Sequence, residues 1–154
     1  MNHLSQILQN RVLIATVTAW VVTQMLKVLL AVRRERRFDF RWLGGMGGMP
    51  SVHSAGVAAL ATGVGFQNGF NTAGFAVALV FALVTMFDAQ GVRRAAGKQA
   101  VVLNKMIDEV YLSGQVSEER LKELIGHTPI QVLVGAVIGC LLALWICGGG
   151  GAGG

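Results

Sequence analysis

Four stretches of the chain are almost wholly apolar, and polar segments of very different lengths separate them. They run from Val12 to Val32, from about Val52 to Phe66, from Thr72 to Phe87, and from Ile130 to Cys147. The first has the length a helix needs to cross a bilayer, ~20 residues. The two middle runs are shorter. They predict helices that tilt, or that begin below the membrane surface in a protein-lined cavity, where irregular backbone is tolerated. The pattern therefore predicts an all-α membrane protein with about four transmembrane helices. Lys27 interrupts the first run near its end, where a lysine snorkels to the interface or faces a polar cavity. This run reads as a retained span, not a leader, because its apolar core is long and no small-residue cleavage site precedes Arg33.

The intervening segments carry their own signals. Arg33 to Arg37 is a charged run, and a glycine-rich turn from Gly44 to Pro50 precedes the second helix. Residues 67–71 form a short polar turn. Ala95 to Leu112 reads as an amphipathic helix on the cytoplasmic side, with Val102, Met106 and Val110 along one stripe. Ser113-Gly114 ends it, and Ser117 suits the cap of a short helix from Glu118 to Ile125, which Gly126 stops. Thr128-Pro129 opens the last run, with threonine suited to the N-cap and proline to the first helical position. Gly135-x-x-x-Gly139 in that run, and Ala55, Ala59 and Gly63 in the second, are small-residue stripes that let helices approach closely. Packing within the chain explains them better than a dimer face. Residues 1–147 form a single membrane domain, and the glycine-rich tail 148–154 is expected to be flexible.

Composition sharpens this picture. Only 14% of the residues are charged, against about a quarter in a typical soluble domain. Cys140 and Cys147 sit in an apolar run, seven apart on one helix, and read as small apolar filler. The net charge of +5 does not indicate nucleic acid, because the basic residues fall in loops with no aromatic stacking pattern among them. Of the 13 Lys and Arg residues, all but Arg11 and Lys27 lie in the loops 33–50 and 88–128, as do all eight acids. Four spans put these two loops on one side of the membrane, and the excess of basic residues makes that side cytoplasmic.

Three polar elements converge there: Pro50-Ser51-Val52-His53-Ser54 entering the second helix, Asp88 to Gln99 leaving the third, and His127-Thr128-Pro129 entering the fourth. Arg93 and Arg94 offer paired donors for phosphate oxygens, and Lys98 adds a point charge. The helix starts at Ser51 and Thr128 offer backbone donors for an anion. His53 and His127 supply a nucleophile and a general acid or base. Asp88 reads as a buried supporting acid. Together these are the groups needed to hydrolyse a phosphate monoester without a metal. No metal-ligand spacing occurs, and no cofactor is implied.

At these residues the sequence resembles a known family: the divergent bacterial and plastid branch of the type 2 phosphatidic acid phosphatase superfamily, related to the vanadium haloperoxidases. The matching stretches are residues 47–55, 88–100 and 126–132, with Gln24 and Lys27 in the first helix. Pro50, Ser51 and His53 match the superfamily's Pro-Ser-Gly-His, with Val52 in place of glycine. Lys27 and Arg34 have the spacing of its first signature, without the proline that follows the arginine there. His127 and Gln131 match its His-x-x-x-Asp, with an amide in place of the acid, and no arginine lies six residues before His127. The resemblance implies attack by His127 on phosphorus, a phosphohistidine, and protonation of the leaving oxygen by His53. Lys27, Ser51, Arg93, Arg94 and Lys98 then hold phosphate, with Asp88 and Gln131 in support.

The reading that follows is a phosphatase for a lipid-linked phosphate monoester, such as phosphatidate, a phosphatidylglycerophosphate or a polyprenyl phosphate. Its setting is lipid metabolism at a bacterial plasma membrane or a plastid-type membrane. The alternative is a non-catalytic membrane subunit or assembly factor that binds an anionic lipid headgroup. A homo-oligomer or a larger membrane complex is compatible with either.

The topology is directly testable. Cysteines introduced at Gly44 and Gln115 are expected to react with an impermeant thiol reagent only after the membrane is permeabilised. Labelling of either site in intact cells would place a charged loop outside.

Overall fold

The computed structural model describes residues 2–36, 38–40, 48–91, 97, 99–104, 106 and 127–149. A short helix α1 (His3–Gln9) leads into α2 (Arg11–Glu35). Helices α3 (Val52–Asn68), α4 (Ala73–Gln90) and α5 (Pro129–Ala143) follow, and a π-helical turn, Leu144–Gly148, extends the last. Among the described residues there is no strand. The helices α2, α4 and α5 with its π-turn are long and apolar enough to cross a membrane. At 17 residues, α3 reaches ~25 Å, a little short of a ~30 Å hydrocarbon core.

Helix α3 nevertheless traverses the same depth as α5, because the two run parallel and in register. A methyl group placed on Gly135 would run into the carbonyl of Ser51, and one on Gly139 into that of Ala55. One turn further, Ala59 and Ala143 share a buried cluster with Ala15 and Ala19 of α2. One turn beyond that, a methyl on Gly63 would lie 3.5 Å from the Cys147 sulfur and 3.3 Å from Val12. The two small-residue stripes of the sequence are thus the two halves of one intramolecular seam. Helix α2 is antiparallel to both, with Val12 beside Gly63 at one end and Lys27 beside Gly48 at the other. The thiol of Cys147 donates to the Arg11 carbonyl at 3.6 Å, and both cysteines are free.

Helix α4 packs on another face of α3 through Ala61, Ala78 and Ala82, with Val57, Val64 and Met86 around them. The turn joining α3 to α4 is clasped by edge-on contacts of Phe70 with Phe66 and Phe75. Gly69 makes that turn with φ 96°, a conformation suited to glycine. The Phe70 ring also occupies the place a side chain at Gly65 would need.

Size is distributed in reverse of a soluble core. The buried apolar residues are mostly alanines, while Phe81, Val84 and Phe87 of α4, Leu133, Val137 and Leu141 of α5, and Trp20, Val21 and Met25 of α2 face outward. Large apolar side chains turned outward fit a lipid surround. Small ones inside allow the close helix contacts that hold a membrane bundle together.

The seam makes a contrast pair. Gly139→Ala drives a methyl into the α3 backbone and should cost about 1–3 kcal/mol or more, the usual penalty of overpacking. Gly56, also in a helix, has nothing within 4 Å of an added methyl. Gly56→Ala should leave stability unchanged or raise it by up to ~1 kcal/mol. Thermal unfolding of both variants in detergent measures the difference.

Candidate functional site at the polar end of the bundle

The start of α5 is a complete capping box. Thr128 is the N-cap and Pro129 the first helical residue, so the missing proline N–H falls where no helical partner exists anyway. The Gln131 amide donates to the Thr128 hydroxyl at 3.4 Å, and Gln131 Oε1 accepts from the Thr128 amide at 3.0 Å. That same oxygen lies 3.1 Å from His127 Nδ1. An amide oxygen already accepting an N–H cannot donate, so Nδ1 carries the proton in this contact. In the neutral ring the lone pair then resides on Nε2. Gln131 fixes the tautomer and orientation of His127 while adding no net charge.

His127 is buried. Its backbone N–H donates to the Ala89 carbonyl at 3.2 Å, pinning the approach to α5 onto the last turn of α4. On the other side, the Ser51 amide donates to the Gln131 carbonyl at 3.1 Å. Ser51 is the N-cap of α3. Its hydroxyl accepts from the Ser54 amide at 3.4 Å and from the Ser54 hydroxyl at 2.9 Å. Both serines are fully buried. One chain of hydrogen bonds therefore joins Ser54, Ser51, Gln131, Thr128 and His127 across two helix starts.

The other sequence-predicted residues are placed as follows. Lys27 is half-buried, and its stem lies over Gly48, where an added methyl would come within 3.3 Å of Cε. Gly48 has φ 86°, so both its conformation and this contact favour glycine. His53 is exposed, one turn before Val57 on the stripe of α3 that packs against α4. Lys27, Ser51, His53, His127 and Gln131 thus share one end of the bundle. Asp88, read from the sequence as buried, is exposed. The buried position at the end of α4 belongs to Ala89, because one residue is a turn of 100° about a helix axis. Arg93, Arg94 and Lys98 lie outside the described residues.

At each helix start some of the backbone donors are used within the protein. The amides of Ser51, Ser54, Thr128 and Gln131 are engaged within the protein. Two contributors had escaped sequence reasoning. The signal for Ser54 is a Ser-x-x-Ser start, a recognisable capping pattern. Ala89 acts through its carbonyl and has no residue-type signal at all. The Thr23 hydroxyl is also buried, four residues before Lys27 and so on the same face, with no hydrogen-bond partner among the described residues. Thr16 and Thr85, by contrast, bond back to the carbonyl four residues earlier.

A helical membrane bundle with hydroxyl, amide and imidazole groups gathered at one end defines the class. The chain belongs to the divergent PAP2 family, whose model matches residues 8–142. It is 40% identical over 150 residues to the uncharacterized membrane protein YuiD of Bacillus subtilis (strain 168), covering 90% of this chain and 95% of that protein. No solved structure matches it.

The role of Gln131 gives a sharp expectation. Gln131→Leu removes the acceptor shared by His127 and Thr128 and should cost about 0.5–2 kcal/mol through the lost cap. Nitrogen-15 spectra of labelled imidazole should show the Nδ1–H tautomer of His127 in the native chain and a mixture of tautomers in the variant. An unchanged tautomer in Gln131→Leu would remove Gln131 from that role.

Proposed function

We propose that the protein is a membrane phosphatase that hydrolyses a lipid-linked phosphate monoester through a phosphohistidine on His127, without a metal. The observation that carries this reading is the buried His127 ring, held through Nδ1 by Gln131 so that Nε2 bears the lone pair. Nε2 attacks phosphorus, and the bond from phosphorus to the lipid oxygen breaks. His53 protonates that oxygen. Water then attacks the phosphohistidine, losing a proton to His53, and releases inorganic phosphate and free His127. Lys27, Ser51, Arg93, Arg94 and Lys98 hold the phosphate oxygens, and the motif loops face the cytoplasm. Asp88, exposed at the end of α4, is left with a supporting role at most in the charge balance of that loop.

A second reading has a specific observation behind it. Gln131 stands where the superfamily carries an acid, and an amide stabilises an imidazolium less than a carboxylate does. On this reading the chain binds an anionic lipid headgroup as a subunit or assembly factor and turns nothing over.

Phosphate release by the detergent-purified protein from a panel of lipid phosphates, with and without chelator, separates the two. The phosphatase reading expects release in chelator, a bell-shaped pH dependence, and acid-labile phosphate trapped on His127. His127→Ala should abolish turnover while leaving headgroup binding largely intact, because a nucleophile acts mainly in the transition state. Arg94→Ala should weaken headgroup binding by about 1.5–3 kcal/mol, the worth of a charge-assisted hydrogen bond. Full activity in His127→Ala would overturn the histidine mechanism. Binding without release of phosphate from any substrate would favour the headgroup-binding reading.

A further inference from the structure

Helix α1 (His3–Gln9) is separated from α2 by one residue, Asn10. Asn10 is extended, at φ −73° and ψ 97°, and its side chain caps α2 by accepting from the Leu13 amide at 3.1 Å. This extended residue breaks the helix, so α1 turns off the axis of α2 and does not prolong it. At about 100° per residue, Leu4, Ile7 and Leu8 share one side of α1, and Asn2, Ser5, Gln6 and Gln9 share the other. No residue of α1 is buried, and Leu4, Ile7 and Leu8 are 68%, 53% and 68% exposed. A helix of 7 residues has little stability alone, because isolated helices shorter than ~12–15 residues are marginal in water. The Asn2 side chain at its N-cap makes no capping bond either. Helix α1 therefore needs support from outside the bundle, and its apolar side is where burial can supply it.

The level of α1 says what gives that support. The Arg11 carbonyl, at the start of α2, accepts from the Cys147 thiol at 3.6 Å, and Val12 lies beside Gly63. Cys147 belongs to the π-turn that ends the last span at Gly148. Two spans thus reach the membrane boundary at one level, at the end of the bundle away from His127. Trp145, 76% exposed in that π-turn, marks the same boundary, because indole rings favour the headgroup level. Helix α1 departs from there across a single residue and is ~10 Å long. Its last turn, with Ile7 and Leu8, stays in a headgroup layer ~5–8 Å deep. That layer offers apolar chains to one side of a helix and water to the other. No Lys, Arg, Asp or Glu occurs from Asn2 to Asn10, so the attraction is apolar and needs no charged headgroup.

We propose that α1 is an interfacial anchor, lying on the membrane surface at the end of the bundle away from His127. Leu4, Ile7 and Leu8 sink among the lipid chains, and the polar side faces water. The assignment holds whether or not the protein is a phosphatase. The test uses the full chain in phosphatidylcholine vesicles, with Cys140→Ser and Cys147→Ser, which keep a hydroxyl in place of each thiol. Single nitroxide spin labels are attached at Leu4→Cys, Ile7→Cys and Leu8→Cys on the apolar side, and at Gln6→Cys and Gln9→Cys on the polar side. The ratio of collisions with oxygen to collisions with a water-soluble nickel chelate is expected to be several-fold higher at the first three than at the last two. Phosphatidylglycerol or raised salt should leave that ratio unchanged. Each site reads independently, should one variant fail to fold. Equal ratios on the two sides would overturn the proposal. Labels at Leu4, Ile7 and Leu8 shielded from both reagents would also overturn it and assign that side to a second copy of the chain. A ratio that falls as salt is raised would overturn the purely apolar attraction.

Discussion

Where Gly135 and Gly139 of α5 lie against the carbonyls of Ser51 and Ala55, two helix backbones meet with no side chain between them. That contact sets the geometry of the polar end. It brings the first turn of α5 close enough to the start of α3 for the Ser51 amide to reach the Gln131 carbonyl. Gln131 in turn orients His127. A bulkier residue at either glycine would push the two starts apart, and the hydrogen-bond chain between them would have to break or stretch. In a lipid surround little hydrophobic drive remains between helices. Close van der Waals packing must supply the association, and small residues are the means. The glycines that hold the bundle together are therefore the same glycines that position the histidine.

The replacement of an acid by Gln131 has two separable consequences. A carboxylate 4 Å from an imidazolium would favour it by roughly 4 kcal/mol at an effective dielectric constant of 20, and the amide forgoes this. What the amide keeps is the hydrogen bond that selects the Nδ1–H tautomer. A nucleophilic imidazole must be neutral, and a neighbouring carboxylate favours its protonated form. The amide thus orients the ring without drawing a second proton onto it. The loss falls on later states in which the ring bears positive charge, after attack on phosphorus. Under the proposed mechanism Gln131 supports the attacking form of His127 and leaves stabilisation of the charged intermediate to other groups.

Much of this architecture was legible in the sequence, for reasons that particular residues make plain. The apolar runs gave the helices to within a few residues, because lipid-facing surface tolerates few charges over a whole span. Thr128-Pro129 gave the start of α5, because a cap and an N1 proline are local chemistry. Ala55, Ala59 and Gly63 on one helix, and Gly135 and Gly139 on another, gave two packing stripes. That the stripes pair with each other, in parallel and in register, is a tertiary fact that no local pattern encodes. Asp88 shows the limit most clearly. It stands at the end of an apolar run, but the next residue along the helix, Ala89, takes the inward position. At the helix starts the residues that mark a cap also take up some of its amides, those of Ser54 and Gln131.

The lengths of the helices also decide how deep the polar end lies. Helix α3 begins at Val52, and α2 passes that level with Lys27 opposite Gly48. Helix α2 then continues for eight more residues to Glu35, which at 1.5 Å per residue is ~12 Å along its axis. Ser51 and Ser54, fully buried at the start of α3, therefore lie well inside the end of α2, and so does Gln131, which is bonded to Ser51. Their hydroxyl and amide groups are satisfied by one another, as backbone and side chains removed from water must be. Lys27, in the same layer, has an apolar stem lying on Gly48 and a charged head on a long tether, which suits it to reach toward the interface. A group bound at this level would sit ~12 Å short of the end of α2. On the proposed reading, a lipid would keep its chains in the bilayer while presenting its phosphate sideways to the bundle end. A soluble phosphate ester would have to descend past the end of α2 to reach the same place. On the proposed reading this depth suits a membrane-borne ligand, whichever histidine does the chemistry.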